Sequence, residues 1–172
     1  MVLALAVGCR HHHDQEAKGV PTMKLISTAF QEGANIPKKH TGDGPDVSPP
    51  LEWEGEPQGV KSFALICDDP DAPGGTWVHW VIFNISANIH GLQEAVPASG
   101  KTDGWTQGKN DFKKLAYGGP APPPGKPHRY FFKLYALDSV LALSEGATKQ
   151  ELEAAMKNHI LAQGQLMGKY GR

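Results

Sequence analysis

The hydrophobic pattern of the chain is mostly that of strands. Lys61 to Cys67 holds the unbroken apolar run Phe63-Ala64-Leu65-Ile66-Cys67. A run of strand length with no polar side predicts a strand buried on both faces. Trp77 to Ile85 alternates aromatic and β-branched residues, the strongest strand signal in the chain. Simple alternation puts Trp77 and His79 on one face and Val78 and Trp80 on the other. In Arg129 to Leu137, Tyr130, Phe132, Leu134 and Ala136 share one face, and Phe131, Tyr135 and Leu137 share the other. Both faces are apolar, so this strand is predicted to be central. Lys24 to Phe30 reads as a short strand, and Gln163 to Tyr170 as a closing one. One helix is predicted, over Thr148 to Ala162. Thr148 and Glu151 have the spacing of a capping box, and Leu152, Met156 and Ile160 form an apolar stripe.

Gly, Pro and Asp punctuate the rest. Gln31 to Glu56 reads as a long ordered loop with a short strand near Ile36, and Asp68 to Gly75 as a turn-rich loop. Ile89 to Gly125 reads as a loop of a length usually tied to function. The 20 glycines and 14 prolines in 172 residues exceed average usage, roughly an eighth of a chain. They cluster between the strands, which points to ordered loops. Many strands, one late helix and no alternating βαβ order predict a mainly β, two-sheet antiparallel sandwich with an added helix.

The N-terminus is set apart from the fold. Residues 21–172 form the predicted domain, and residues 1–20 a polar tether or signal remnant. Met1 to Gly8 is apolar and small, and Ala-Val-Gly-Cys has the form of a lipobox, with Cys9 as the lipidation candidate. No Lys or Arg precedes the run, so a frayed terminus stays open beside export. The cell envelope is favoured over the cytoplasm, with the membrane reached only through a lipid on Cys9. His11-His12-His13 reads as part of the tether, with a metal tract or a tag as alternatives. Cys67 reads as a buried thiol acting as a small hydrophobe.

The formal net charge is −1. With no basic stripe, nothing favours nucleic acid, and any anion site has to be local. No phosphate-cradling glycine loop of the nucleotide-binding types is present. Three segments carry candidate chemistry. Asp68-Asp69-Pro70-Asp71-Ala72-Pro73 places three carboxylates within four positions, which requires nearby donors or a retained proton. Trp77-Val78-His79-Trp80 sets an imidazole among indoles. In Pro127-His128-Arg129-Tyr130, His128 and Tyr130 share a face at the mouth of a central strand, and both can donate to phosphate oxygens. Gly119 offers a backbone N–H that an anion can approach. Arg129 is placed to pair with a carboxylate of the Asp-Pro-Asp turn. The run Pro120-Ala121-Pro122-Pro123-Pro124-Gly125 reads as a rigid pocket wall, with a Pro-rich recognition motif as its rival.

Taken in order, Asp-Pro-Asp-Ala-Pro, Trp-x-His-Trp and Gly-Gly-Pro…Pro-His-Arg-Tyr resemble the phosphatidylethanolamine-binding protein family. Ser48-Pro49-Pro50-Leu51-Glu52-Trp53 is similar to its early Ser-Pro-x-Leu-x-Trp segment. The closing Gly-Lys-Tyr-Gly-Arg is similar to its bacterial, Raf-kinase-inhibitor-like branch. The resemblance covers roughly Met23 to Arg172. It implies a sandwich with a small surface pocket lined by Asp69, His79, His128 and Tyr130, with Asp71, Pro70, Trp77, Gly119 and Pro120 completing the rim. Eukaryotic relatives often have a second His where this chain has Val78, and a proline loop one residue shorter, so their kinase partners are not to be assumed for this chain. The C-terminal helix that modulates pocket access in some of them is not evident after Gln163.

Together these readings predict a binding protein, with no cofactor, for a small anionic or zwitterionic ligand such as a phospholipid head group. His79, His128 and Tyr130 donate to the anion, and protonation of the histidines strengthens binding. Asp69 orients an imidazole or accepts from an ammonium. Inhibition of a kinase or protease through the surrounding loops is the second reading. An enzyme using Asp69 and His79 as an acid–base pair, or an Asp-His-His metal set, is the alternative from a different class.

Overall fold

The structure, a computed structural model, describes residues 19–172; Cys9 and the histidine tract lie outside the described residues. Two antiparallel sheets face each other. The smaller has three strands in the order β1 (Lys24–Ile26), β2 (Leu51–Glu54) and β5 (Gly91–Leu92). The larger runs β6 (Thr106–Gln107), β4 (Trp77–Ser86), β3 (Ser62–Asp69), β7 (His128–Leu137) and β8 (Ile160–Tyr170). The helix α1 spans Lys149–Met156.

Strand position explains residue choice. β3 is the middle strand of five, and all eight of its residues are buried. It therefore carries no alternation. On its inner face Phe63, Leu65 and Cys67 join Trp80, Ile82, Phe132 and Leu134, and meet Leu25, Leu51, Trp53 and Leu92 of the small sheet. On its outer face Ala64 and Ile66 join Val81, Phe83 and Leu137 beneath Leu152 and Met156 of α1. Cys67 is a free buried thiol in the inner core. Burial, followed by the Asp68 and Asp69 carboxylates, pushes it well above the ordinary thiol range.

Several boundaries differ from the sequence reading. The capping box of Thr148 and Glu151 is present, but α1 ends at Met156. Asn158 takes a left-handed conformation (φ 68°), which turns the chain and sends Ile160 into β8 opposite Leu137. Near Ile36 there is only an isolated bridge, Asn35 to Lys169. The strand of that region is β2, whose Leu51 and Trp53 point inward and Glu52 and Glu54 outward. Its alternation is short and hemmed by Pro and Gly, which hid it. The turn after β3 begins at Pro70, because Asp68 and Asp69 still pair with β4.

A bulge overturns one further expectation. Cys67 lies opposite Trp80 and Asp68 opposite Val78, leaving His79 as the extra residue of β4. A bulge of this kind re-aims side chains. Trp80 therefore packs in the inner core, while Val78 packs toward the helix side.

Candidate functional site

The three carboxylates after Cys67 part company at once. Asp68 faces the helix side, where Lys133 (2.9 Å) and Lys149 (2.5 Å) hold it. Asp69 turns inward. Its Oδ2 is 2.8 Å from His128 Nδ1, and its Oδ1 accepts the Asp71 N–H at 2.8 Å. Asp71 takes a bidentate pair of bonds from the Arg129 guanidinium, at 2.9 and 2.8 Å, and a third from the Arg129 amide. These bonds hold the Asp71 carboxyl down at about 2. Separate donors thus relieve the repulsion that the sequence spacing implied.

His79 is set by the bulge and by a strap, residues 108–119, that runs along the outer end of β4. The Gly118 N–H donates to the His79 carbonyl at 3.0 Å, and His79 Nδ1 donates to the Gly118 carbonyl at 2.6 Å. Asn110 Nδ2 donates to the same His79 carbonyl and to Ala116, while its Oδ1 accepts from Lys114. Asp111 exchanges bonds with the backbone of Val78. The buried peptide groups at the bulge are thereby satisfied.

Asp69, His79, His128 and Tyr130 all line one cavity of about 230 Å³. Ala72, Pro73, Trp77, Phe112, Ala121, Pro122 and Pro123 complete it. Tyr130 stands 5.1 Å from His79, ring centre to ring centre, in an edge-to-face contact. Its hydroxyl is buried and makes no hydrogen bond of good geometry, although the Asp69 carboxylate lies close enough to act on it. Burial, and then the Asp69 carboxylate, push that phenol far above its ordinary range. Burial also pulls the His79 imidazole below its ordinary value, although the Gly118 carbonyl and the Asp69, Asp46 and Asp111 carboxylates act the other way. Trp77 and Phe112 are exposed at the mouth, edge to face at 5.5 Å.

Four expected rim residues do not line the cavity. Pro70 is exposed, and Asp71 is turned to Arg129. The Gly119 amide, expected to meet an anion, donates instead to Asp46 Oδ1 at 2.6 Å. A Cβ at Gly119 would lie 2.6 Å from the His40 carbonyl, so close packing of two loops requires the glycine. Pro120 is buried, and its carbonyl accepts from Gly42. The proline run does form a wall, one step later at Ala121, Pro122 and Pro123. Phe112 was missed; its only sequence signal is a lone aromatic in the polar stretch from Lys109 to Lys114.

The lining offers two imidazoles, a phenol and a carboxylate, but no Ser, Thr or Cys nucleophile. Among the described residues no group of three or more His, Cys, Asp or Glu side chains is arranged to hold a metal ion.

Comparison with known proteins gives a consistent result. The family model described as phosphatidylethanolamine-binding protein matches residues 26–171. A UPF0098 protein of Methanothermobacter thermautotrophicus is 52% identical over 151 residues, covering 87% of this chain and 99% of that protein. A UPF0098 protein of Aquifex aeolicus is 46% identical, over 90% of this chain and 91% of its own length. Among solved structures, a phosphatidylethanolamine-binding protein homologue of Chlamydia trachomatis, CT736, superposes with a TM-score of 0.80 at 40% identity, covering 88% of this chain and 98% of that one. E. coli YbcL, described as a member of the mammalian family, superposes at 0.81 with 31% identity, covering 87% of this chain and 98% of that one.

Proposed function

Because the chain belongs to the phosphatidylethanolamine-binding protein family, we propose that its cavity binds the phosphate of a phospholipid-type head group or a similar small anion. The observation that carries this reading is the Tyr130 hydroxyl. It is buried beside His79, lines the cavity, and makes no well-formed hydrogen bond, with only the Asp69 carboxylate acting on it as a neighbouring acceptor. A buried unpaired donor costs roughly 1–3 kcal/mol, a cost removed when a ligand oxygen accepts from it. The cavity, at about 230 Å³, is smaller than the usual ligand pocket of roughly 300–1,000 Å³. It suits a head group rather than a whole lipid. Asp69 holds His128 in place instead of meeting the ligand directly, and the Asp71–Arg129 pair locks the turn that carries Asp69.

Titration calorimetry with glycerophosphoethanolamine tests the reading. Saturable one-to-one binding, weakened in Tyr130→Phe, is expected; absence of heat at any pH between 5.5 and 8 overturns it.

The exposed aromatic pair at the mouth favours a second role, inhibition of a kinase or protease that docks over the cavity. Its mark is a partner whose capture is lost in the double variant Trp77→Ala, Phe112→Ala. Catalysis has less support, since the lining holds no Ser, Thr or Cys nucleophile for Asp69 and a histidine to activate.

A further inference from the structure

The donors and acceptors in the cavity are not free to choose their roles. The Gly118 carbonyl can only accept, so the neutral His79 ring keeps its proton on Nδ1, 2.6 Å away. Its Nε2 is left as a lone pair. His128 Nδ1 faces the Asp69 carboxylate at 2.8 Å, which leaves its Nε2 for the cavity as well. No Lys or Arg lines the cavity. The two guanidiniums nearby are both held by carboxylates outside the lining, Arg129 by Asp71 and Arg172 by Asp43. In the walls Pro73, Pro122 and Pro123 have no N–H, and the Gly119 amide is spent on Asp46.

Charge counting then decides the matter. Asp69 contributes one negative charge, and a protonated His128 can at most cancel it. The cavity becomes net positive only if His79 is protonated too. We infer that an anion enters this cavity together with one proton, which resides on Nε2 of His79. The inference rests on the reading that the cavity binds an anion.

The surroundings of His79 fit such a role. Asp69 on β3, Asp46 on the loop before β2 and Asp111 on the strap are the carboxylates that favour its charged form. His128 and Tyr130 face the same cavity from β7. Burial opposes the charge, so the empty site is neutral at His79 near pH 7. An anion held against Nε2 supplies the missing counter-charge. By linkage, the anion raises the proton affinity of His79 by the same factor that the proton raises the affinity for the anion.

Inorganic sulfate is the probe, because it stays fully ionised across the relevant range and so cannot bring the proton itself. Titrations of the full chain at pH 7.5, in two buffers of different ionisation heat, should show about one proton taken up per sulfate bound. The Kd should weaken about tenfold per pH unit between pH 7 and 8. Nitrogen NMR should show His79 Nε2 changing from a lone pair to an N–H as sulfate is added. In His79→Gln, whose amide donates without titrating, proton uptake should vanish. Sulfate binding with buffer-independent heat and a flat Kd overturns the inference alone, as does uptake that survives in His79→Gln. If neither sulfate nor glycerophosphoethanolamine binds at pH 5.5, the anion-site reading falls and takes the inference with it.

Discussion

His79 gives the cavity a cost in acid that shows even without ligand. Burial holds its imidazole below the ordinary value of 6.5. Between the folded and unfolded pKa values the unfolded chain binds more protons, so stability rises with pH there. It is complete above about pH 6.5 and is lost as pH falls below it. Urea unfolding should therefore show stability dropping from pH 7 to 5.5, by at most about 1.4 kcal/mol per pH unit from this group. His79→Gln should flatten part of that slope; an unchanged slope would assign the effect elsewhere. Tyr130 makes the opposite trade. Replacing it by Phe removes an unpaired buried hydroxyl, so stability should hold or rise by up to about 1 kcal/mol. Affinity for glycerophosphoethanolamine should fall about tenfold, the effect of about 1.4 kcal/mol. A variant that loses both stability and binding would mean that the hydroxyl already has a partner.

The strap and the bulge work as one element. The bulge turns His79 into the cavity, and the strap satisfies the peptide groups it leaves unpaired in the ladder. Asn110 is the hub, with bonds to the His79 and Ala116 carbonyls and to the Lys114 amide. Asn110→Ala should cost about 2–3 kcal/mol and weaken ligand binding as well, because Phe112 and Gly118 lose their placement against His79. The helix provides the control. Thr148 caps α1 on the outer face of the large sheet, away from the cavity lining. Thr148→Ala should cost about 1 kcal/mol in thermal or urea unfolding and leave the Kd unchanged. If both variants weaken binding equally, general destabilisation rather than strap geometry is responsible.

For the molecule as a whole, the cavity depends on segments far apart in sequence being pressed together. β8 lies next to β7, and Gly168 lets the chain near Phe30 and Ile36 close over the sheet. A Cβ at Gly168 would sit 2.5 Å from Ile36 Cγ1 and 2.8 Å from Phe30 Cε2. Gly168→Ala should therefore cost about 1–3 kcal/mol by overpacking, read from the urea midpoint. A neutral result would show that the wrapping segment shifts easily. The far edge of β8 is also closed: the Gly33 amide bonds Met167, the Ile36 amide bonds Lys169, and Glu32 accepts the Met167 amide. These contacts leave less of an unpaired strand edge open to another chain.

The sequence by itself determined the long strands and the start of the helix, because those depend on local periodicity and a short-range cap. It also singled out Asp69, His79, His128 and Tyr130, since the motifs around them are similar to a family pattern. Only the tertiary structure decided which of the candidates face the cavity. Asp68 and Asp71 go to lysines and an arginine brought in by distant segments, and the Gly119 amide goes to Asp46. Trp80 changed face because of one extra residue in a strand pairing, a register that alternation along a single strand does not contain. The proton positions on the two imidazoles were also out of reach of the sequence, since a tautomer is set by whichever acceptor the fold places beside each ring.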